Sequence, residues 1–211
     1  MRIRVVVADD HLILLQGIKK LLESEGDCEI VGEAGDGQEA VRLVRQLAPD
    51  IAVLDIGMPG MNGLDAARAI SKSSPETKTI LLTMHKENPY VTEALNAGVH
   101  GYVIKTQTAG DLLRAVKEVQ ANRVYLSPGI SKLVIDAYRH KSELQSDPLT
   151  LRERQVLQLI AEGKKTKQVA TRLGISLKTA ESHRTRIMSK LEIHNTAGLV
   201  RYAIRRGLIN P

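Results

Sequence analysis

Five side chains suited to phosphoryl chemistry each stand directly after a short apolar run. Asp9 and Asp10 follow Ile3-Arg4-Val5-Val6-Val7-Ala8. Asp55 follows Ile51-Ala52-Val53-Leu54, Thr83 follows Thr79-Ile80-Leu81-Leu82, and Lys105 follows Gly101-Tyr102-Val103-Ile104. Three carboxylates brought close together repel one another strongly. They are stable together with a cation, and hard oxygen ligands suit Mg²⁺. A lysine and a hydroxyl beside them can bind phosphoryl oxygens. Such a set suits formation of an acyl phosphate at one carboxylate. Any one of these residues is ordinary in a loop, but all five in this order are not.

To act together they must be gathered by the fold. The apolar runs, with Glu29-Ile30-Val31-Gly32 as a further one, are short, and several are near-continuous and β-branched. That suits strands covered on both faces. Between them lie helix-period segments: Leu14, Ile18, Leu21 and Leu22; Ala40, Leu43, Val44 and Leu47; Leu112, Leu113, Val116 and Val119. Gly26, Pro49, Pro75 and Gly98 punctuate the pattern. Strand and helix alternate five times, which predicts a parallel sheet with helices on both sides. In such open sheets, sites form outside the carboxyl ends of the strands, so the five side chains converge at one sheet edge.

Composition limits the alternatives. Of 211 residues, 43% are hydrophobic and 26% charged, as in a soluble globular chain of one or two domains. Without Phe or Trp the core is aliphatic, and base-stacking aromatic platforms are excluded. The single cysteine, Cys28, excludes an internal disulfide and Cys-rich zinc modules. No apolar run approaches the roughly 18 residues of a membrane span. Asp9 and Asp10 come too early for a secretion signal, so a cytoplasmic protein with no membrane partner is expected. Charge is uneven: residues 1–122 carry −4, residues 123–146 carry +2 and residues 147–211 carry +8. An acidic half joined to a small basic module predicts two domains with different partners, the basic one being the candidate for nucleic acid.

Residues 1–120 resemble the receiver domain of bacterial two-component response regulators. The run Asp55-Ile56-Gly57-Met58-Pro59-Gly60-Met61-Asn62-Gly63 is similar to that family's phosphorylation loop throughout. The resemblance implies a flavodoxin-like, doubly wound five-stranded parallel sheet. It implies that Asp55 is the phosphoacceptor and that Asp10 binds Mg²⁺ directly and Asp9 through water, with Asp55 and the Gly57 carbonyl as further ligands. It also implies that Lys105 pairs with the phosphoryl group, that Thr83 hydrogen-bonds it, and that Tyr102 is the switch aromatic that turns inward. Gly32-Glu33-Ala34-Gly35-Asp36-Gly37 lacks the Lys-Ser/Thr of a phosphate loop and reads as a strand-to-helix turn. His11 reads as a solvated loop residue rather than a proton carrier. His85, two positions after Thr83, is a candidate to flank the route of attacking water.

Residues 121–147 read as a linker in which Leu133, Val134, Ala137 and Tyr138 form a short amphipathic helix. The rest is helical. Thr150 with Glu153 makes a capping box before Val156, Leu157 and Ile160. Thr166 is placed to cap a second helix that ends at Gly174. A third runs from about Lys178 to Leu191 and a fourth from about Asn195 to Arg206. Helix, Gly174, turn and helix match a helix-turn-helix. At 100° per residue Ala180, Ile187 and Leu191 face a core, with Met188 and the Arg184 stem on the flank. Lys178, Glu181, Ser182, Thr185, Arg186 and Ser189 form an opposite face with no apolar residue. Such a face fits a DNA major groove, though taken alone it also fits a solvated surface.

Residues 148–211 resemble the DNA-binding domain of LuxR/FixJ-type regulators, the NarL-like branch when joined to a receiver. The resemblance rests on Leu149-Thr150-Leu151-Arg152-Glu153-Arg154-Gln155-Val156-Leu157 and on Lys178-Thr179-Ala180-Glu181-Ser182-His183, where Ala180 replaces the larger aliphatic common in the family. It implies base contacts from Glu181, Ser182 and Thr185 and phosphate contacts from Lys178, Thr179, Arg186 and Lys190. The whole then reads as a transcription factor. A sensor histidine kinase phosphorylates it at Asp55, and it binds double-stranded DNA as a homodimer when phosphorylated. It is not an enzyme beyond self-phosphorylation and slow self-dephosphorylation. A phosphohydrolase with an aspartyl phosphate is disfavoured, because the second acid of haloacid-dehalogenase-type enzymes is replaced by Gly57. A phosphate-independent DNA binder or protein adaptor is the remaining alternative.

Overall fold

The computed structural model describes residues 2–84, 88–105, 109–130 and 148–209. It divides into two compact units, Met1–Arg139 and His140–Pro211. The predicted linker helix at Leu133–Tyr138 lies outside the described residues, as does His85.

In the first unit the alternation of apolar runs becomes β1 (Ile3–Ala8), β2 (Cys28–Ala34), β3 (Ile51–Asp55), β4 (Lys78–Thr83) and β5 (Gly101–Ile104). The intervening helices are α1 (Leu12–Ser24), α2 (Gly37–Leu47), α3 (Gly63–Ser73) and α4 (Asn88–Asn96), and α5 (Ala109–Gln120) follows β5. The strands pair in parallel in the order β2-β1-β3-β4-β5. This is the expected doubly wound sheet. A sixth strand, β6 (Tyr125–Leu126), extends it beside β5, also in parallel. Two residues are too few to show a period, so the sequence pattern gives five strands and the sheet has six.

Alternating side chains feed opposite faces. Val5, Val7, Ile51, Val53, Ile80, Leu82 and Val103 pack with Leu15, Ile18 and Leu22 of α1 and Leu112, Val116 and Val119 of α5. Val6, Ala8, Ala52, Leu54, Leu81, Tyr102 and Ile104 pack with residues of α2, α3 and α4, including Val44, Ile70 and Ala94. The reversal of strand order lies between β1 and β3, where open sheets of this kind form sites. Asp36 caps α2 and Asn62 caps α3 through their side chains. Gly63 opens α3 in a position where a Cβ would lie 2.1 Å from the Asp55 carbonyl oxygen. Only glycine lets the helix sit directly on the peptide that carries Asp55.

The second unit holds α6 (Leu151–Ala161), α7 (Thr166–Leu173), α8 (Leu177–Leu191) and α9 (Thr196–Arg205). The capping box is present: Glu153 N–H donates to Thr150 Oγ1 at 3.2 Å, and Thr150 N–H donates to Glu153 Oε2 at 2.8 Å. Thr166 is not the cap of α7 but its first helical residue. The cap is Lys165, whose N–H donates to Gln168 Oε1 at 2.8 Å. Gly174 ends α7 in the left-handed conformation (φ 62°) and Ser176 caps α8. The aliphatic core includes Val156, Leu157, Leu159, Val169, Ile187 and Leu199.

Candidate functional site

The ends of β1, β3 and β5 bring Asp9, Asp55 and Lys105 together. Lys105 Nζ lies 2.7 Å from Asp9 Oδ2 and 2.8 Å from Asp55 Oδ1. Asp9 is fully buried and Asp55 is 6% exposed. Two buried carboxylates are thus bridged by one ammonium. The other Asp55 oxygen accepts from Gly57 N–H at 3.0 Å. Burial pushes the Asp55 carboxyl above its ordinary value, Asp9 and Asp10 add to the rise, and Lys105 opposes it. Burial alone would lower Lys105, but Asp55 and Asp9 outweigh it and hold the amine above its ordinary value.

Asp10 stands closer to solvent, its side chain 31% exposed. His11 joins the two adjacent acids: its Nδ1 lies 2.9 Å from Asp10 Oδ1 and 3.2 Å from Asp9 Oδ1, and its backbone N–H donates to Asp9 Oδ1 at 2.9 Å. The ring is 72% exposed, as expected of a solvated loop residue, yet it contacts both acids. Its place next to two aspartates was the only signal for this. Asp9, Asp10 and His11 present ligand atoms within 4.8 Å of one another. With Asp55 at the same sheet edge, the donor set is rich in hard carboxylate oxygens and fits a divalent ion such as Mg²⁺.

Thr83 and Tyr102, from adjacent strands, are both buried. The Thr83 carbonyl accepts from Lys105 N–H at 2.7 Å, so the backbone at the two predicted phosphoryl-binding residues is tied. Tyr102 packs in the cluster on the α2–α4 side of the sheet. Val91, Ala94, Leu95 and Val99 line a small apolar pocket with it.

In the second unit Lys178, Thr179, Glu181, Ser182, Thr185 and Arg186 are all exposed on α8, while Ala180 and Ile187 are fully buried. Thr185 Oγ1 donates to the Glu181 carbonyl at 3.1 Å. Thr179 Oγ1 lies 2.8 Å from Ser176 Oγ at the helix cap. Lys190, near the end of the helix, is exposed as well. Its Nζ donates to Glu153 Oε2 at 2.6 Å and to the Pro148 carbonyl at 3.2 Å, tying the end of α8 to the start of α6.

Two family profiles match: "Response regulator receiver domain" over residues 5–117 and "Bacterial regulatory proteins, luxR family" over residues 147–203. The chain is 36% identical to the transcriptional regulatory protein LiaR of Bacillus subtilis, covering 99% of this chain and 100% of LiaR. It is 35% identical to the response regulator UvrY of Escherichia coli K12, covering 99% and 96%. Among solved structures, RcsB of Salmonella enterica serovar Typhimurium bound to promoter rprA with the phosphomimetic BeF3⁻ matches with a TM-score of 0.63. Identity there is 27%, over 96% of this chain and 98% of that one. A LuxR-family two-component response regulator from Aurantimonas matches at TM-score 0.63 and 32% identity, over 66% of this chain and 99% of that one. With both profiles in this order and full-length relatives above one-third identity, the chain belongs to the LuxR-type response regulators, a receiver domain followed by a LuxR-family regulatory domain.

Proposed function

We infer that the protein is a DNA-binding transcription regulator switched by phosphorylation of Asp55, the phosphoryl donor being a sensor histidine kinase. The observation that carries this reading is the bridge from Lys105 to buried Asp9 and Asp55. It keeps a buried carboxylate nucleophile beside a cation that can turn to a phosphoryl oxygen. An Asp55 oxygen attacks phosphorus as the phosphorus–nitrogen bond of the donor histidine breaks. The electron pair stays on that nitrogen, which then takes up a proton. Lys105 Nζ pairs with a phosphoryl oxygen, and the Thr83 hydroxyl donates to another. Asp9, Asp10, Asp55 and the Gly57 carbonyl would hold Mg²⁺, which supplies positive charge against the phosphoryl oxygens. Tyr102 already lies inward, packed in the α2–α4 cluster, so a shift of Thr83 toward the phosphoryl group would hold this inward position and the α4–β5 surface that goes with it. Chemistry beyond this self-phosphorylation and slow loss of the phosphoryl group is not expected.

The exposed face of α8 supplies the DNA contacts: Glu181, Ser182 and Thr185 to bases, and Lys178, Thr179 and Arg186 to phosphates. Lys190 is the further phosphate contact that the resemblance implies, and in the free protein its amine pairs with Glu153. The similarity to RcsB, solved as dimers bound to DNA, supports double-stranded DNA as ligand and a homodimer as the binding form. Among the described residues no helix is long and apolar enough to cross a membrane. The test is selection of random DNA by full-length protein, with and without a small acyl phosphate and Mg²⁺. A sequence motif enriched more strongly with the donor is expected. Equal enrichment in both arms, and from Asp55→Asn, replaces this reading with the phosphate-independent one.

A further inference from the structure

Strand β6 ends at Leu126, but the pairing with β5 does not. Ser127, fully buried, donates its N–H to the Tyr102 carbonyl at 2.9 Å. Where the next backbone carbonyl would be needed, its hydroxyl takes over: Ser127 Oγ accepts from Ile104 N–H at 3.1 Å and donates to Asp111 Oδ2 at 2.5 Å. Asp111 lies in the first turn of α5. Its other oxygen accepts from the Tyr125 hydroxyl, and burial together with this bond pushes the Tyr125 phenol up to about 12. The Ser127 hydroxyl is fixed in both its roles, and bonds to a carboxylate are among the stronger ones.

Ile104 immediately precedes Lys105. The Lys105 N–H is held on the other side by the Thr83 carbonyl. The backbone that aims the Lys105 amine is therefore clamped twice, once from β4 and once from the segment that leaves the sheet. The first clamp continues the β4–β5 ladder, and phosphoryl chemistry at Asp55 makes no use of Tyr125, Ser127 or Asp111.

We propose that Asp111 is a positioning residue for Lys105, acting through Ser127, and that this hydroxyl–carboxylate latch couples the phosphoacceptor pocket to residues 125–130. The proposal rests on the reading of Asp55 as phosphoacceptor. When Lys105 turns from Asp9 to a phosphoryl oxygen, the Ile104 peptide shifts, and Ser127 follows it or releases it. Either outcome changes the backbone of the residues that run on toward the second unit.

The experiment uses full-length protein, acetyl phosphate with Mg²⁺, and two readouts: incorporation at Asp55 and amide hydrogen exchange over residues 101–105 and 125–130. In wild-type protein, phosphorylation is expected to change exchange in both segments. In Ser127→Ala, exchange at Ile104 rises by about tenfold, the loss of roughly one hydrogen bond. Asp55 is still labelled, and the response of residues 125–130 to phosphorylation disappears. Tyr125→Phe removes a hydrogen bond from Asp111 but spares the Ser127 bridge, so it keeps the response. Asp111→Ala removes the acceptor of the Ser127 hydroxyl and carries the same test if Ser127→Ala does not fold. If Ser127→Ala is labelled and its 125–130 segment responds as wild type does, the latch is overturned and Asp55 stands. Loss of the response in Tyr125→Phe equally overturns the Ser127 route. No labelling of wild-type Asp55 overturns both the reading and the latch.

Discussion

Removing the Lys105 amine leaves Asp9 and Asp55 facing each other with no cation between them. Breaking a buried pair by deleting one partner costs about 3–5 kcal/mol, because a charge is left uncompensated. Lys105→Ala is therefore expected to lower the melting temperature without metal, and millimolar Mg²⁺ is expected to restore most of it. Equal loss with and without Mg²⁺ would show that the acids do not share the ion. The same variant should still be labelled at Asp55 by acetyl phosphate, but with a weaker conformational response. Asp55→Asn should abolish labelling, as should excess chelator with wild-type protein. At this scale the sequence was informative about identity and poor about contacts. Asp9, Asp10, Asp55, Thr83 and Lys105 could be picked out because each terminates an apolar run. That Lys105 bridges Asp9 to Asp55, 50 residues and more away in sequence, depends on strand order and side-chain reach, which no local pattern encodes.

The pin between α6 and α8 is an element-scale feature. Glu153, 3% exposed, caps α6 and also accepts from Lys190 near the end of α8. Burial alone would raise the Glu153 carboxyl, but the Lys190 and Thr150 hydrogen bonds hold it below its ordinary 4.5. A lowered folded value means that the stabilisation is complete above pH 4.5 and is lost as pH falls through the folded value. Acid titration of the helical signal should show this loss in wild-type protein and a smaller one in Lys190→Met. That variant should also be less stable by about 1–3 kcal/mol in chemical denaturation. Its salt dependence of DNA binding separates the two roles of Lys190. A structural residue leaves the log–log slope unchanged, whereas loss of a phosphate contact flattens it by about one unit, as expected for Lys178 or Arg186. The capping box was readable because its partners are three residues apart. Lys165 as the α7 cap was not, since the backbone and Gln168 do the work that a Thr166 hydroxyl was expected to do.

Taken whole, the chain joins an acidic half to a basic one, residues 1–122 at −4 and residues 147–211 at +8. A lone helix-turn-helix reads few base pairs, and two copies on one site gain affinity through effective concentration. Phosphorylation is expected to shift the full-length protein toward dimers in sedimentation and to tighten DNA binding in the same samples. Tighter binding by a protein that stays monomeric on DNA would point instead to release of an occluded helix. The alternation of five apolar runs was enough to indicate the doubly wound sheet, while two-residue β6 and the Ser127–Asp111–Tyr125 cluster gave no periodic signal. That cluster also has an optical consequence. With no tryptophan in the chain, near-ultraviolet emission comes from five tyrosines. A phenol bonded to a carboxylate, as Tyr125 is to Asp111, is a dim emitter, and Tyr102 is enclosed by aliphatic side chains beside the pocket. Release of the Tyr125 hydroxyl by the Asp111 carboxylate would therefore be seen in real time as a brightening that is absent from Tyr125→Phe, with no label attached.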